Sequence, residues 1–386
     1  MKKLVFFVAF LHISALVFGQ LQPGAECTDE YFPYLKGKKV ALVVNNTSLI
    51  GSTHLADSML SSGIQVQLIF APEHGFRGLA HAGETVKDSV DTKTGIPIKS
   101  LYGKHKKPSS KDLEDIDVVV FDIQDVGTRF FTYISTLLYV AEACAEQQKP
   151  LMVLDRPNPN GHFMDGPILE KPYESFVGMV PIPIVHGCTM GEIAQMYKGE
   201  KWIKSAENLD LKVIPCAFYT HASFYAPPVK PSPNLPDIRS ILLYPSICLF
   251  EGTKVSVGRG TDYPFQIFGY PDFPLGDTTF TPDANWGVSN PPYKKELCNG
   301  FNLSNANIDS LFAIGRIDLS WLISFHEKSP RKDDFFIKNG FFNLLAGNRT
   351  LRVQIEQGMT EDEIRASWQP ELEVYKKMRL MYILYP

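Results

Sequence analysis

At 386 residues the chain can bury a large core and exceeds one ordinary domain, so two domains are expected. It is 44% apolar and 21% charged, with a formal net charge of -4. That balance excludes the basic footprint of a nucleic-acid-binding protein and a mainly membrane-surface role.

The N-terminus stands apart. Lys2 and Lys3 precede an apolar run over residues 4–18 that ends at Gly19 and Gln20. A basic start, a short apolar core and a polar exit predict a cleaved secretory signal over residues 1–20; the run is short for a bilayer span of roughly 20 residues. No later segment has membrane length, so the mature protein is expected in the periplasm or the medium, without an integral membrane segment. The six cysteines are even in number, which permits disulfides in an exported chain. They are sparse, however, Cys144 and Cys248 lie in apolar runs, and no pair has metal-finger spacing.

From residue 38 a strand-then-helix pattern repeats. Residues 39–44 (KVALVV) read as a strand that ends in Asn45-Asn46-Thr47. Residues 54–62 read as a helix stopped by Gly63, and residues 66–70 (VQLIF) as a second strand running into APEHGFRG, residues 71–78. A third strand, residues 117–121, meets Asp122. Residues 128–148 form a predicted helix with Phe130, Ile134, Leu137, Ala141 and Cys144 on one face. A fourth strand, residues 150–154, ends at Asp155. Short, continuous apolar strands alternating with helices predict an α/β, Rossmann-like domain with a parallel sheet covered on both faces, over residues 21–242. Thr189 and Glu192 make a capping box, so Glu192 reads as structural. The proline-rich residues 227–236 read as an irregular crossing segment. Beyond them short strand signals mix with glycine turns. A tail helix opens at a second capping box, Thr360 to Glu363, and presents Trp368, Leu372 and Tyr375. A smaller α+β domain over residues 243–386 is therefore expected.

In an open parallel sheet, ligands bind beyond the carboxyl ends of the strands. The four predicted strand ends deliver Asn45 and Asn46; Glu73, His74 and Arg77; Asp122, Asp125 and Arg129; and Asp155, Arg156 and Asn158. One polar loop is ordinary, but four converging loops mark a site. Bland roles compete: Asp125 as a helix cap, Asp155 as a turn residue, His74 as a satisfied loop histidine. Glu73, between Pro72 and His74-Gly75, is a poor cap. Arg129 is expected in the first turn of its helix, where a cation opposes the helix dipole and needs an anionic partner, either Asp122, Asp125 or a substrate group. No HExxH, GxGxxG, Walker A or GxSxG motif is present. Carboxylates, amides and arginines remain, which suits glycoside cleavage: one carboxylic acid protonates the leaving oxygen while a second carboxylate acts as base or nucleophile.

Together, APEHGFRG, FDIQDVGTRFFTYIS, LDRPNPNG…GPILE, PIPIVHGCTMGEIA, FEGTKVSVGRGTDYPF and LRVQIEQGMTEDEIRASW resemble the exo-β-N-acetylmuramidase family, in order across nearly the whole mature chain. The resemblance implies a Rossmann-like domain and a smaller C-terminal domain with the active site between them. It implies removal of N-acetylmuramic acid from the non-reducing end of peptidoglycan fragments, with no organic cofactor; the residues themselves, lacking ligand spacing, call for no metal. The catalysts it implies are Glu73, together with Glu170, Asp122 or Asp125 as the second group; His74, beside Glu73, is expected to orient it or the substrate. Phe70 and Phe76 are expected to give Glu73 apolar surroundings. The lactyl carboxylate of muramic acid asks for a cation, and Arg77, Arg129, Arg156 and Arg259 qualify. His186, Glu251 and Asp262, in the matching motifs, complete the expected contacts. Whether the substrate's own acetamido group takes part stays open. So do two other readings: a cell-wall amidase or esterase with His74 or His186 as base, and a non-catalytic peptidoglycan-binding protein.

Overall fold

The computed structural model describes residues 19–77 and 88–386, so the leader expected over residues 1–20 lies, apart from its last two residues, outside the described part. Among the described residues no helix is long and apolar enough to cross a membrane.

Seven strands form the main sheet: β1 (Lys39–Val44), β2 (Gln65–Ala71), β3 (Ser89–Val90), β4 (Pro97–Ser100), β5 (Val118–Asp122), β6 (Leu151–Leu154) and β7 (Leu211–Ile214). Their order is β3-β4-β2-β1-β5-β6-β7, and every pair is parallel except β3 with β4. Leu42 of β1 lies opposite Ile69 of β2 and Val120 of β5. Strand side chains alternate between faces, which divides the apolar run of β1 between two cores. Val40, Leu42 and Val44 join Val118 and Val120 on one side. Ala41 and Val43 join Val119 and Phe121 on the other. The expected α/β class with a parallel-dominated sheet is what the chain forms. The order of crossovers reverses at β1, with β2 on one flank and β5 on the other. That switch point is where a cleft opens in sheets of this kind.

The C-terminal part holds a three-stranded antiparallel sheet, β8 (Ile267–Tyr270), β9 (Thr278–Phe280) and β10 (Cys298–Asn302), in the order β8-β10-β9. It packs through an aromatic cluster in which the Phe273 and Phe325 rings stack 4.0 Å apart. The core containing Phe121 runs on through Phe130 into Phe250, Phe325 and Phe342, so the two parts share one interior. The last helix, Glu361–Arg379, starts at the expected Thr360–Glu363 capping box. It returns to the first domain: Tyr375 Oη donates to His186 O (2.7 Å) and Trp368 Nε1 to Asp165 Oδ1 (3.1 Å). All six cysteines are free thiols.

One boundary differs from the sequence reading in a way that matters. The helix expected from residue 128 starts at Tyr133. Arg129 N donates to Ile184 O (2.8 Å), and Thr128 bridges Val185, which holds the preceding residues out of the helix. Residues 130–133 are thereby left on the wall of a cleft.

Candidate active site

The β2 strand ends at Ala71 and turns sharply. Gly75 N donates to Pro72 O (3.0 Å), and His74 takes a left-handed backbone conformation at φ 70°. A non-glycine residue rarely adopts that region, and such strain gathers at functional sites. The turn places Glu73 and His74 on the cleft wall, with His74 Nε2 3.4 Å from Ser232 Oγ. The Glu73 carboxylate is hydrogen-bonded to Tyr102, just past β4. Burial first, and then the Glu73 charge, hold the Tyr102 and Tyr133 phenols well above their ordinary range. A tyrosine hydroxyl is therefore bonded to Glu73, and a second tyrosine stands near enough to sense its charge. Phe70 is core, and Phe76 packs edge-on against His54, 4.6 Å between centroids, with the Arg77 guanidinium over its ring.

The facing wall belongs to the C-terminal part. Helix Ile238–Ile247 tightens into a 3-10 segment, Cys248–Gly252. In a 3-10 turn the side chains at i and i+3 eclipse, so Cys248 and Glu251 meet: the thiol lies 3.4 Å from Glu251 Oε2. Arg259 Nε donates to the other oxygen, Oε1, at 2.6 Å, and its guanidinium stands 5.0 Å from the Phe265 ring centre. Gly260 follows Arg259 at φ 85°, where an added Cβ would stand 2.4 Å from Asp283 O, so this close turn requires glycine.

The cleft has two chambers. The inner one, about 250 Å³, is walled by Tyr102, Phe130, Phe131, Tyr133, Phe176, Tyr244 and Cys248. The outer one, about 670 Å³, is walled by residues such as Lys254, Val255, Val288, Asn290, Tyr293 and Ile337. Glu73, Glu251, Arg259 and Phe341 line both. Two carboxylates and a guanidinium thus converge from opposite sides where the chambers join. Acid–base cleavage of a polar substrate held against aromatic walls is chemistry this arrangement can perform.

Other residues expected in the site have structural partners instead. Asp122 makes a two-pronged, buried ion pair with Arg156, whose Nε and Nη2 donate at 2.5 and 2.9 Å. Neither side chain lines the cleft. Asp155 accepts from Thr189 Oγ1 (2.6 Å), Gly191 N (2.8 Å) and Tyr385 Oη (2.6 Å), and burial pushes its carboxyl up to about 6 despite these donors. Asn158 donates to Cys188 O (2.9 Å) and accepts from Asn160 N (2.9 Å). Arg77 is neutralised by Asp91 (3.0 Å) and Asp57 (3.2 Å), and holds the Asp91 carboxyl down at about 2. Glu170 is exposed on a different face, in a groove with Val374 and Tyr375, because its backbone is pinned to Gly347 O (2.8 Å). Asp262 is exposed beside Arg259 without lining either chamber. Asn45 stands behind the wall, its side chain against the Tyr133 hydroxyl and bonded to Thr47 (2.6 Å). Asn46 ties down Lys230 O (3.1 Å) in the crossing segment.

Arg129 needs no anion. It is fully buried, and its terminal nitrogens donate to Pro167 O (3.0 Å), Ile182 O (2.6 Å), Leu345 O (3.1 Å) and Ala346 O (2.8 Å). Burial alone lowers its guanidinium to about 9. Leu345 and Ala346 end the helix Phe341–Ala346, so the cation satisfies orphan carbonyls at that helix's negative end. A Cβ on Gly347 would fall 2.4 Å from Arg129 Nη2. Arg129 thereby fixes the helix that carries Phe341 and Leu345 into the cleft. Arg129→Met is expected to cost about 3 kcal/mol or more of unfolding free energy in urea melts, because several buried carbonyls lose their donors.

His186 is buried, accepts from Cys188 N through Nδ1 (3.2 Å), and is pushed down to about 3 by burial and by Arg379 and Arg129. It lies outside the cleft lining, so it is not placed to act there as a base. Its Nε2 stands 3.8 Å from Asp125. Asp125 Oδ2 accepts from Gly127 N (2.6 Å), yet burial pushes this carboxyl up to about 7. A raised carboxyl contributes stability that is fully present below about pH 4 and is lost as pH rises through about 7. A displacement of that size corresponds to about 4 kcal/mol. Asp125→Asn should therefore gain on the wild type progressively between about pH 4 and pH 8 in thermal melts. A stability difference that does not change with pH would refute this reading.

Tyr102, Tyr133, Phe341 and Ser232 line the site without having been expected there. For Tyr133, the misplaced helix start hid it; for Tyr102, an unrecognised short strand did.

The chain matches the family described as exo-beta-N-acetylmuramidase NamZ, in its N-terminal part over residues 40–239 and its C-terminal part over residues 242–385. It is similar to the peptidoglycan beta-N-acetylmuramidase NamZ of Bacillus subtilis (strain 168), 39% identical over 377 residues that span 92% of this chain and 89% of the relative. Crystal structures of two DUF1343 family proteins from Bacteroides fragilis NCTC 9343 superpose with TM-scores of 0.88 at 46% identity and 0.82 at 28% identity. Each alignment covers 95% of this chain and 99% of the other.

Proposed function

The chain belongs to the exo-beta-N-acetylmuramidase NamZ family, and we propose that it removes N-acetylmuramic acid from the non-reducing end of peptidoglycan fragments. The observation that carries the mechanistic part is the meeting of Glu73, Glu251 and Arg259 at the junction of the two chambers. Glu73 gives its proton to the glycosidic oxygen as the bond to the anomeric carbon breaks, and water supplies the hydroxyl of the freed sugar. Tyr102 orients Glu73. Glu251, opposite it, is the second carboxylate, in place of Glu170 and Asp122. Arg259 spends only Nε on Glu251; its terminal nitrogens are the donors for the lactyl carboxylate. The C-terminal part, from about residue 243, closes the cleft, and the protein works outside the cytoplasm after loss of its leader.

The test is substrate selectivity. The purified mature protein should release chromophore from a β-N-acetylmuramic acid glycoside and leave the N-acetylglucosamine analogue intact. Equal release from both would refute recognition of the lactyl group. Release from neither, together with no cleavage of a muramyl-terminated glycan, would refute the activity itself.

A further inference from the structure

The outer chamber has no role yet. Three features assign it one, given the exo-acting reading above. An acid that protonates a glycosidic oxygen must sit between the two sugars that share it. Glu73 lines both chambers, so the bond that breaks lies at their junction and each chamber faces one sugar. A chain end can be held in a closed space, whereas the continuing glycan needs an exit. The inner chamber is the smaller, and its walls Phe130, Phe131 and Tyr133 are buried. The outer chamber is larger, with Asn290 and Pro292 exposed at its rim.

The lining fits the same division. Valines and Ile337 offer apolar area, with Asn290 and Tyr293 as the polar and aromatic groups that fix orientation. Tyr293 is also held in place. Its hydroxyl donates to Lys254 O at 2.7 Å, and its backbone sits in the left-handed region at φ 56°. An aromatic residue rarely adopts that conformation unless its surroundings impose it.

We propose that the outer chamber is the subsite for the leaving part of the glycan, an N-acetylated hexosamine whose far end continues into solvent, with Tyr293 as its platform and Asn290 as its hydrogen-bonding group. The enzyme then recognises two sugars, and leaving-group identity becomes part of its specificity.

The experiment compares two substrates in the full chain. One is the β-linked disaccharide of N-acetylmuramic acid and N-acetylglucosamine. The other is N-acetylmuramyl fluoride, whose one-atom leaving group does not reach the outer chamber. Asn290→Ala and Tyr293→Leu should each lower the disaccharide-to-fluoride ratio of kcat/KM about tenfold, the worth of one good contact. An unchanged ratio in both variants would overturn the subsite, because turnover of the fluoride itself reports a folded enzyme. A wild-type protein that hydrolyses neither compound would instead sink the exo-muramidase reading beneath it.

Discussion

Glu73→Gln is expected to lower kcat/KM on a muramyl-terminated glycan about a thousandfold, within the range that general acid catalysis supplies. Glutamine keeps the shape and still accepts from the Tyr102 hydroxyl, so the cleft should stay intact and the loss should fall on kcat. The leaving group sharpens the test. An alkoxide needs a proton to depart, whereas fluoride leaves without one. The same variant should therefore lose far less on N-acetylmuramyl fluoride than on the disaccharide. Equal losses on the two would mean that Glu73 does something other than donate a proton to the leaving oxygen.

The stretch APEHGFRG was legible because its chemistry is local. An acid and an imidazole after an apolar strand, bracketed by proline and glycine, have few ordinary uses, and the turn at residues 72–75 needs nothing distant to aim them. The edge of the sheet was legible too, since the strand ends follow from apolar runs. The fate of each polar side chain at that edge was not. Asp122 is claimed by Arg156, and Asp155 by Thr189 and by Tyr385 at the other end of the chain. Such pairings satisfy buried charge, and nothing near either aspartate in sequence announces them. The same holds for Arg129. Its position suggested an anionic partner, but a helix terminus 217 residues away supplied carbonyls instead. Glu251 was read as a contact, and only the fold sets it opposite Glu73. The 3-10 turn that pairs it with Cys248 was hidden, because apolar periodicity does not separate the end of a helix from a tighter coil.

Arg259 has two tasks, and substitution can separate them. Through Nε it holds Glu251, and it lines the cleft, where its terminal nitrogens are the proposed donors to the lactyl carboxylate. Lysine retains the charge beside Glu251 but not the planar fork that grips a carboxylate at two points. Arg259→Lys is thus expected to raise KM for muramyl substrates about tenfold with most of kcat kept. Arg259→Ala removes both tasks. Its kcat/KM should fall at least about a hundredfold, since a charge-assisted bond is lost and Glu251 loses its counter-ion. The selectivity between muramyl and glucosaminyl glycosides decides the assignment. If Arg259 reads the lactyl group, that ratio collapses in both variants, because the glucosamine analogue has no carboxylate to lose. If Arg259 only positions Glu251, both substrates suffer alike and the ratio holds.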